Sequence, residues 1–279
     1  MIKAFITLQR KINKSISQRG FSTTIVRCVT RPARWLGDLA QWMSPTFRRI
    51  RREHAKWDAE HHVDTAPGNQ AGWMADIESE NWSHGRGYHP APSDSLIRRL
   101  SDLDIDYRDY TFIDFGSGKG RSLFAASNFP FSKIIGVEFN RYLHDTAVKN
   151  TRTYRSDQQQ CADIDPVHAD AIAYEIPDQP MVYYFYDPFA EPVMRPVVDN
   201  IFRRLRENGK KCFVIYFNPV FAEYFENSDQ FRRIAQGSEF ENYWNRTRLG
   251  NKDANEFTSE LLDAERYVVY ESVSQANLQ

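Results

Sequence analysis

The stretch Phe112-Ile113-Asp114-Phe115-Gly116-Ser117-Gly118-Lys119-Gly120-Arg121 ends an apolar run with an acid, then alternates three glycines into a helical pattern. Glycines permit a sharp turn and let a ligand approach the backbone with no Cβ between them. A helix starting there aims unpaired N–H groups, worth about half a positive charge, at whatever stands before it. Two common owners of such loops fail on spacing. A Walker A loop needs Ser or Thr after its Gly-Lys pair, and Gly118-Lys119 is followed by Gly120. A dinucleotide fingerprint needs GxGxxG, and position 121 is arginine. Glu138 closes a second apolar run 22 residues after Gly116, which puts a carboxylate where the diol of a bound ribose would lie. Asp187 follows a third such run; doubly wound sheets place their ligands at strand carboxyl ends of this kind.

The elements that must hold these residues read as alternating strands and helices. Tyr110–Phe115, Lys133–Glu138, Met181–Tyr186, Lys211–Phe217 and Tyr267–Glu271 are apolar, β-rich runs, with a short strand expected near Val167. Helical patterns cover Lys119–Asn128, Tyr142–Thr151 and Pro192–Arg206. Buried strands alternating with helices predict an α/β fold with a doubly wound, mostly parallel sheet. Tyr183, Tyr184 and Phe185 read as packed strand residues.

Before this regular region, residues 57–92 are rich in Gly, Pro, His and Trp without a sustained period, and read as a loop-rich connector with short helices. His61, His62, His84 and His89 fall here, but no ligand spacing links them and no metal site is expected. Further upstream the chain is basic. Residues 1–56 hold thirteen Lys or Arg against Asp38 and Glu53, a charge near +11, so the net −1 of the whole chain leaves the remainder near −12. Ile2, Phe5, Leu8, Ile12 and Ile16 recur at helical spacing up to Gly20, and a second helical stretch runs from Trp35 to Met43, ahead of Arg48-Arg49-Ile50-Arg51-Arg52. Such an arm can pack on the body or fray in solvent, lie on an anionic membrane surface, serve as a transit peptide, or contact nucleic-acid phosphates.

The expected organisation is therefore a basic helical arm over 1–56, the connector over 57–92 and an α/β domain over 93–279. A chain of 279 residues, 41% hydrophobic and 26% charged, has the composition of a folded protein. No apolar run approaches the ~20 residues of a membrane-spanning helix. Cys28, Cys161 and Cys212 form no CxxC pair, which fits a reducing compartment. A cytoplasmic protein is expected, with the mitochondrial matrix or a membrane surface as the alternatives that the arm leaves open.

The segment from Asp114 through Gly120 resembles the first motif of class I S-adenosylmethionine-dependent methyltransferases, and further motifs of that family follow in order over about residues 85–273. The resemblance implies a seven-stranded Rossmann-like sheet and S-adenosyl-L-methionine as cofactor. It also implies that Asp114, Gly116, Ser117, Gly118 and Gly120 line the donor, that Glu138 binds both ribose hydroxyls, and that Asp170-Ala171 meets the adenine amino group. Tyr186-Asp187-Pro188-Phe189 is similar to the (Asp/Asn)-Pro-Pro-(Tyr/Phe) motif of amino-methylating members, with one proline in place of two. Gly87-Tyr88-His89-Pro90 resembles the Tyr-x-Pro segment of a subset that includes lysine methyltransferases related to histone-methylating enzymes, where the loop caps the donor.

On this resemblance the acceptor is expected to be a nitrogen of a protein side chain, then of a small molecule. Asp187 would take the hydrogen of the nucleophile and Phe189 would stack on the acceptor. A hydroxyl acceptor would instead call on a base such as His89. A nucleic-acid methyltransferase using the basic arm, and a non-catalytic donor-binding protein, are the competing readings. Tyr243, Trp244 and Arg246, in the segment 239–264 between the last two strands, are further candidates to contact the acceptor.

Overall fold

The computed structural model describes residues 45–67, 88, 90–91, 93–238 and 266–273, in a chain that divides into two units, Met1–Lys56 and Trp57–Gln279. The helices expected before residue 44, His84, His89 and the segment 239–264 lie outside the described residues. Helix α1 (Pro45–His61) carries exposed Arg48, Arg52 and Lys56.

In the second unit, α2 (Ser93–Ser101) leads into β1 (Thr111–Phe115), α3 (Arg121–Ala126), β2 (Lys133–Glu138) and α4 (Arg141–Thr153). Then come β3 (Ile164–His168), β4 (Met181–Tyr186), α5 (Glu191–Asn208) and β5 (Cys212–Phe217). The short α6 (Glu223–Glu226), β6 (Phe231–Ser238) and β7 (Arg266–Ser272) complete it. These seven strands form one sheet in the order β3-β2-β1-β4-β5-β7-β6. The mostly parallel arrangement holds across β1 to β5. The sheet as a whole is mixed, because β7 runs antiparallel to both β5 and β6.

Strand alternation divides the core in two. Ile113, Phe115, Tyr183, Phe185, Val214 and Tyr216 face α5, which contributes Val193, Met194, Val197, Val198, Ile201 and Leu205. Phe112, Ile134, Val182, Tyr184, Phe213 and Ile215 face the other way, onto Leu96 and Leu100 of α2 and Leu123, Ala125 and Ala126 of α3. Burial on both faces is why the central strands read as continuous apolar runs rather than alternating ones. Helix α5 is punctuated as its sequence suggests, with Pro192 in its first turn and Gly209, at φ 61°, closing it through an N–H bond to the Leu205 carbonyl.

Position follows from topology. The chain leaves β1 towards β2 on one side and β4 towards β5 on the other, so the strand order reverses between β1 and β4. In an open α/β sheet, the crevice beyond the carboxyl ends of those two strands is where ligands bind.

Candidate functional site

The turns that leave β1 and β4 meet in that crevice. Gly116 has φ +91°, and a Cβ there would stand 2.8 Å from Cβ of Pro188, so only glycine lets the two strand ends close on each other. Asp187, at φ 42°, occupies a left-handed conformation that is rare for a non-glycine residue, and its N–H reaches the Phe217 carbonyl at 3.3 Å. Such strain costs about 1–3 kcal/mol and concentrates at functional turns. Phe189, expected to stack on an acceptor, is instead buried in the core, close under Gly116. Its place is to support the turn.

The glycine loop is pinned to β2. The N–H groups of Gly116 and Ser117 both donate to the Val137 carbonyl, at 2.8 and 3.2 Å, and the Gly120 N–H donates to the Ser117 carbonyl at 2.9 Å. The Gly118 N–H donates to Oε2 of Glu138 at 2.9 Å. These four N–H groups are therefore already used, and a carboxylate occupies the place where a phosphate would sit in a nucleotide loop. Ser117 turns its side chain down onto β2, where only Gly136 leaves room: a Cβ at 136 would stand 2.7 Å from Ser117 Oγ. What Ser117 offers a ligand is backbone.

Glu138 is buried, and its other oxygen accepts the Asn140 N–H at 2.8 Å. Asn140 in turn caps α4, its Oδ1 accepting the Leu143 N–H at 3.0 Å. Burial pushes the Glu138 carboxyl up to about 7, with the N–H bonds from Asn140, Gly118 and Phe139 pulling the other way. Asp114 lies on the same sheet face, opposite Gly136 in the neighbouring strand, and is buried as well. Burial raises it to about 7 too, opposed by the hydroxyl that Ser122 donates to it and reinforced by the charge of Glu138. Ser122 is in the first turn of α3, so Asp114 braces the helix that follows the loop.

Asp170 and Ala171 come just after β3, whose His168 pairs with Glu138, and the Ala169 N–H donates to the Glu138 carbonyl at 3.1 Å. One Asp170 oxygen accepts the Ile172 N–H at 2.9 Å, an Asx turn, and Ala171 is buried. Tyr88 reaches the loop from far upstream. A Cβ on Gly118, whose φ is +55°, would stand 2.3 Å from Cε2 of the tyrosine ring, so the ring lies directly against this glycine. Burial drives the Tyr88 hydroxyl well above the ordinary phenol range, and it stays protonated as a donor.

The sequence-identified residues thus come together from four strand ends and one upstream segment: Tyr88, Asp114, the loop 116–120, Glu138, Asp170-Ala171 and Asp187. The solved structures to which the chain is similar include an S-adenosylmethionine-dependent methyltransferase from Thiobacillus denitrificans in complex with S-adenosyl-L-homocysteine, at 13% identity over 68% of this chain and 94% of that one, with a TM-score of 0.41. An RNA methyltransferase from Salinibacter ruber in complex with the same ligand shares 16% identity over 67% of this chain and 95% of that one, with a TM-score of 0.38. The StiE O-methyltransferase segment shares 14% over 65% and 74%, with a TM-score of 0.41. No protein-family model and no curated protein matches the sequence.

Four contributors were not singled out from sequence: Gly136, Asn140, and the pair Lys119 and Arg121, whose side chains are buried behind the loop rather than offered to a ligand. The usable signals were a glycine inside an otherwise bulky strand, and an asparagine two residues after a strand-ending acid. His61 stacks between Trp57 and Tyr154. Among the described residues, no cluster of three or more His, Cys, Asp or Glu is placed to hold a metal ion, and no helix is long and apolar enough to cross a membrane.

Proposed function

We propose that the second unit is an S-adenosylmethionine-dependent methyltransferase. The observation that supports this best is the Gly118 N–H donating to the buried Glu138 carboxylate at 2.9 Å. A loop whose amide is spent on an acid, with Asp114 close behind, repels phosphate. It suits a ligand that is cationic or neutral at this point and carries a ribose diol. S-adenosylmethionine has that chemistry: a sulfonium, an ammonium and a diol, without phosphate. The residues present fit it. Glu138 would accept from the ribose hydroxyls, the Gly116–Gly118 backbone would lie under the donor, Asp170-Ala171 would border the adenine, and Tyr88 would close over Gly118.

When bound, the donor supplies a methyl group on a sulfonium, already activated for in-line displacement. What remains for the protein is alignment, from which ideal geometry can draw up to ~7–11 kcal/mol. Asp187, at the carboxyl end of β4 in its strained turn, would accept a hydrogen from a nucleophilic nitrogen and so fix its lone pair towards the methyl group. The nitrogen would exchange its proton for the methyl group as the S–CH3 bond breaks and the donor leaves as a neutral thioether, and this carboxylate or water would take up the proton. A nitrogen acceptor rests on the Asp187-Pro188-Phe189 turn. The narrower preference for a protein side chain rests only on the resemblance around Tyr88.

Titration of S-adenosyl-L-homocysteine into the full chain tests the donor site, and transfer of labelled methyl from the donor to fractionated protein, RNA and small-molecule pools tests the reaction. Asp187→Ala should lower kcat about 10²-fold, the low end for a positioned proton acceptor, with S-adenosyl-L-homocysteine affinity within twofold of wild type. Undiminished turnover removes Asp187 from the mechanism. Donor binding with no transfer to any pool would favour the non-catalytic reading.

A further inference from the structure

The glycine loop holds on to a second piece of chain. Arg121, the residue after Gly120, donates through Nη2 to Asp58 Oδ1 at 2.9 Å and through Nε to Thr65 Oγ1 at 2.7 Å, while its guanidinium stands 4.4 Å from the centre of the Trp57 ring. Asp58 organises the turn that follows α1: its carboxylate accepts the N–H groups of Thr65 at 2.8 Å and Ala66 at 2.7 Å, and the Thr65 hydroxyl at 2.5 Å. The side chains of Asp58 and Arg121 are only 11% and 5% exposed, so the pair is shielded from water and from screening.

Lys119 adds a second fastening, Nζ donating to Asp64 Oδ1 at 2.9 Å and to the Ala66 carbonyl at 3.0 Å. Asn150 of α4 supplies a third. Its Oδ1 accepts the Asp64 N–H at 2.8 Å, and its Nδ2 donates to the carbonyls of Asp64 and Lys119, both at 2.9 Å.

The strapped turn also reaches the ligand crevice through Tyr88. The Thr65 carbonyl accepts the Tyr88 hydroxyl at 2.6 Å, and the Tyr88 ring lies against Gly118. A continuous path therefore runs from Arg121 through Asp58 and Thr65 to Tyr88 and back to the loop from which Arg121 departs. We propose that Trp57–Ala66 is a positioning strap for the methyl donor, in which Asp58 and Arg121, through Thr65, hold Tyr88 over Gly118 and so set how slowly the donor leaves. The inference rests on the donor site proposed above and assigns a task to the two basic residues of the glycine loop: they secure the cover of the site instead of binding an anion. None of Asp58, Arg121 and Thr65 needs to touch the donor.

The test is stopped-flow dissociation of S-adenosyl-L-homocysteine from the full-chain protein, with steady-state kinetics alongside, for wild type, Asp58→Asn, Tyr88→Phe and the double variant. Asp58→Asn and Tyr88→Phe should each speed dissociation about tenfold, and the double variant should dissociate no faster than the faster single one, because both cut the same path. The donor KM should rise in step while the acceptor KM does not. Multiplicative effects in the double variant, or unchanged dissociation in the singles, would overturn the strap. Wild-type protein that binds no S-adenosyl-L-homocysteine would overturn the donor site and the strap together, which separates the two failures. If Asp58→Asn does not fold, Arg121→Lys in its place is held to the same outcomes, since it cuts the same path by removing the Nε bond to Thr65 while keeping a cation beside Asp58.

Discussion

Replacing Gly118 with alanine is expected to cut affinity for S-adenosyl-L-homocysteine by at least a hundredfold. Two costs coincide at this position. The backbone has φ +55°, where an L side chain costs roughly 1–2 kcal/mol. The added methyl would also stand 2.3 Å from one Tyr88 ring carbon and 2.6 Å from the next, so the ring must move or the loop must. Overpacking of this kind typically costs 1–3 kcal/mol. The obstruction lies between the loop and its cover, so the penalty is a loss of the closed geometry around the donor more than a loss of the fold. The free protein should therefore melt only a few degrees lower, while calorimetric titration loses most of its signal. The double variant Gly118→Ala, Tyr88→Ala distinguishes the two costs: it removes the steric part and keeps the backbone part, so its free-protein melting should recover towards that of Tyr88→Ala alone. An alanine variant that binds as tightly as wild type would mean that Tyr88 and Gly118 do not enclose the ligand.

How much of this was legible in sequence depended on what each residue was surrounded by. Strands β2 and β4 coincide with the runs Lys133–Glu138 and Met181–Tyr186, and β1, β5 and β7 differ by a residue or so at their ends, because residues buried on both sides must be apolar throughout. The glycine loop and Glu138 were legible because a tight turn and a strand-ending acid restrict residue type strongly. Strand β6 was implied by the resemblance but never located. Phe231 is its one buried residue, and the strand is held by its pairing with β7 across an irregularity at Arg233 and Ala235, and by Arg232 bonding Glu271. An edge strand faces solvent, its exposed arginines discourage further pairing, and it has no pattern of its own to read.

The strap was hidden for a different reason. Asp58, Asp64, Thr65 and Ala66 are ordinary turn residues, and their partners Lys119, Arg121 and Asn150 are between 53 and 86 positions away along the chain. Nothing local distinguishes an aspartate that binds a buried arginine from one that faces water. Lys119 and Arg121 carry no local sign either that they face away from the ligand, since basic residues beside a glycine loop serve as readily to bind an anion. Phe189 shows the converse: an aromatic beside a strand-end acid looks available to a substrate until the strand order places it under Gly116. In each case the deciding quantity is burial, which follows from topology rather than from residue type.

Affinity for S-adenosyl-L-homocysteine should rise about tenfold between pH 6 and pH 8, and Glu138→Gln should bind 10- to 100-fold more weakly with that dependence gone. The Glu138 carboxyl is raised to about 7 by burial, against an ordinary value near 4.5. Ribose hydroxyls donating to this group stabilise its charged form, so binding favours the deprotonated state and releases a proton wherever the free protein holds one. For a group titrating near 7, the charged fraction grows by about a factor of ten over those two pH units, which sets the size of the effect.

The free fold responds in the opposite sense. A carboxyl whose folded value lies above its unfolded one gives a stabilising contribution that is complete below about pH 4.5 and is lost as the pH rises through 7, because the unfolded chain gives up its proton first. Asp114, also raised to about 7, adds to this trend, so the free protein should melt lower at pH 8 than at pH 5.5 and regain part of the difference when ligand is added. In Glu138→Gln, the unsatisfied N–H of Gly118 or Asn140 lowers the stability of the free fold, while the ribose hydroxyls lose a charged acceptor for a neutral one, a difference of about 1–3 kcal/mol from which the 10- to 100-fold loss of affinity follows. Calorimetry in two buffers of different ionisation enthalpy counts the protons directly. Release that disappears in Glu138→Gln assigns the titration to the Glu138 carboxylate, whereas release that persists there would move it to Asp114 and remove Glu138 from the donor site.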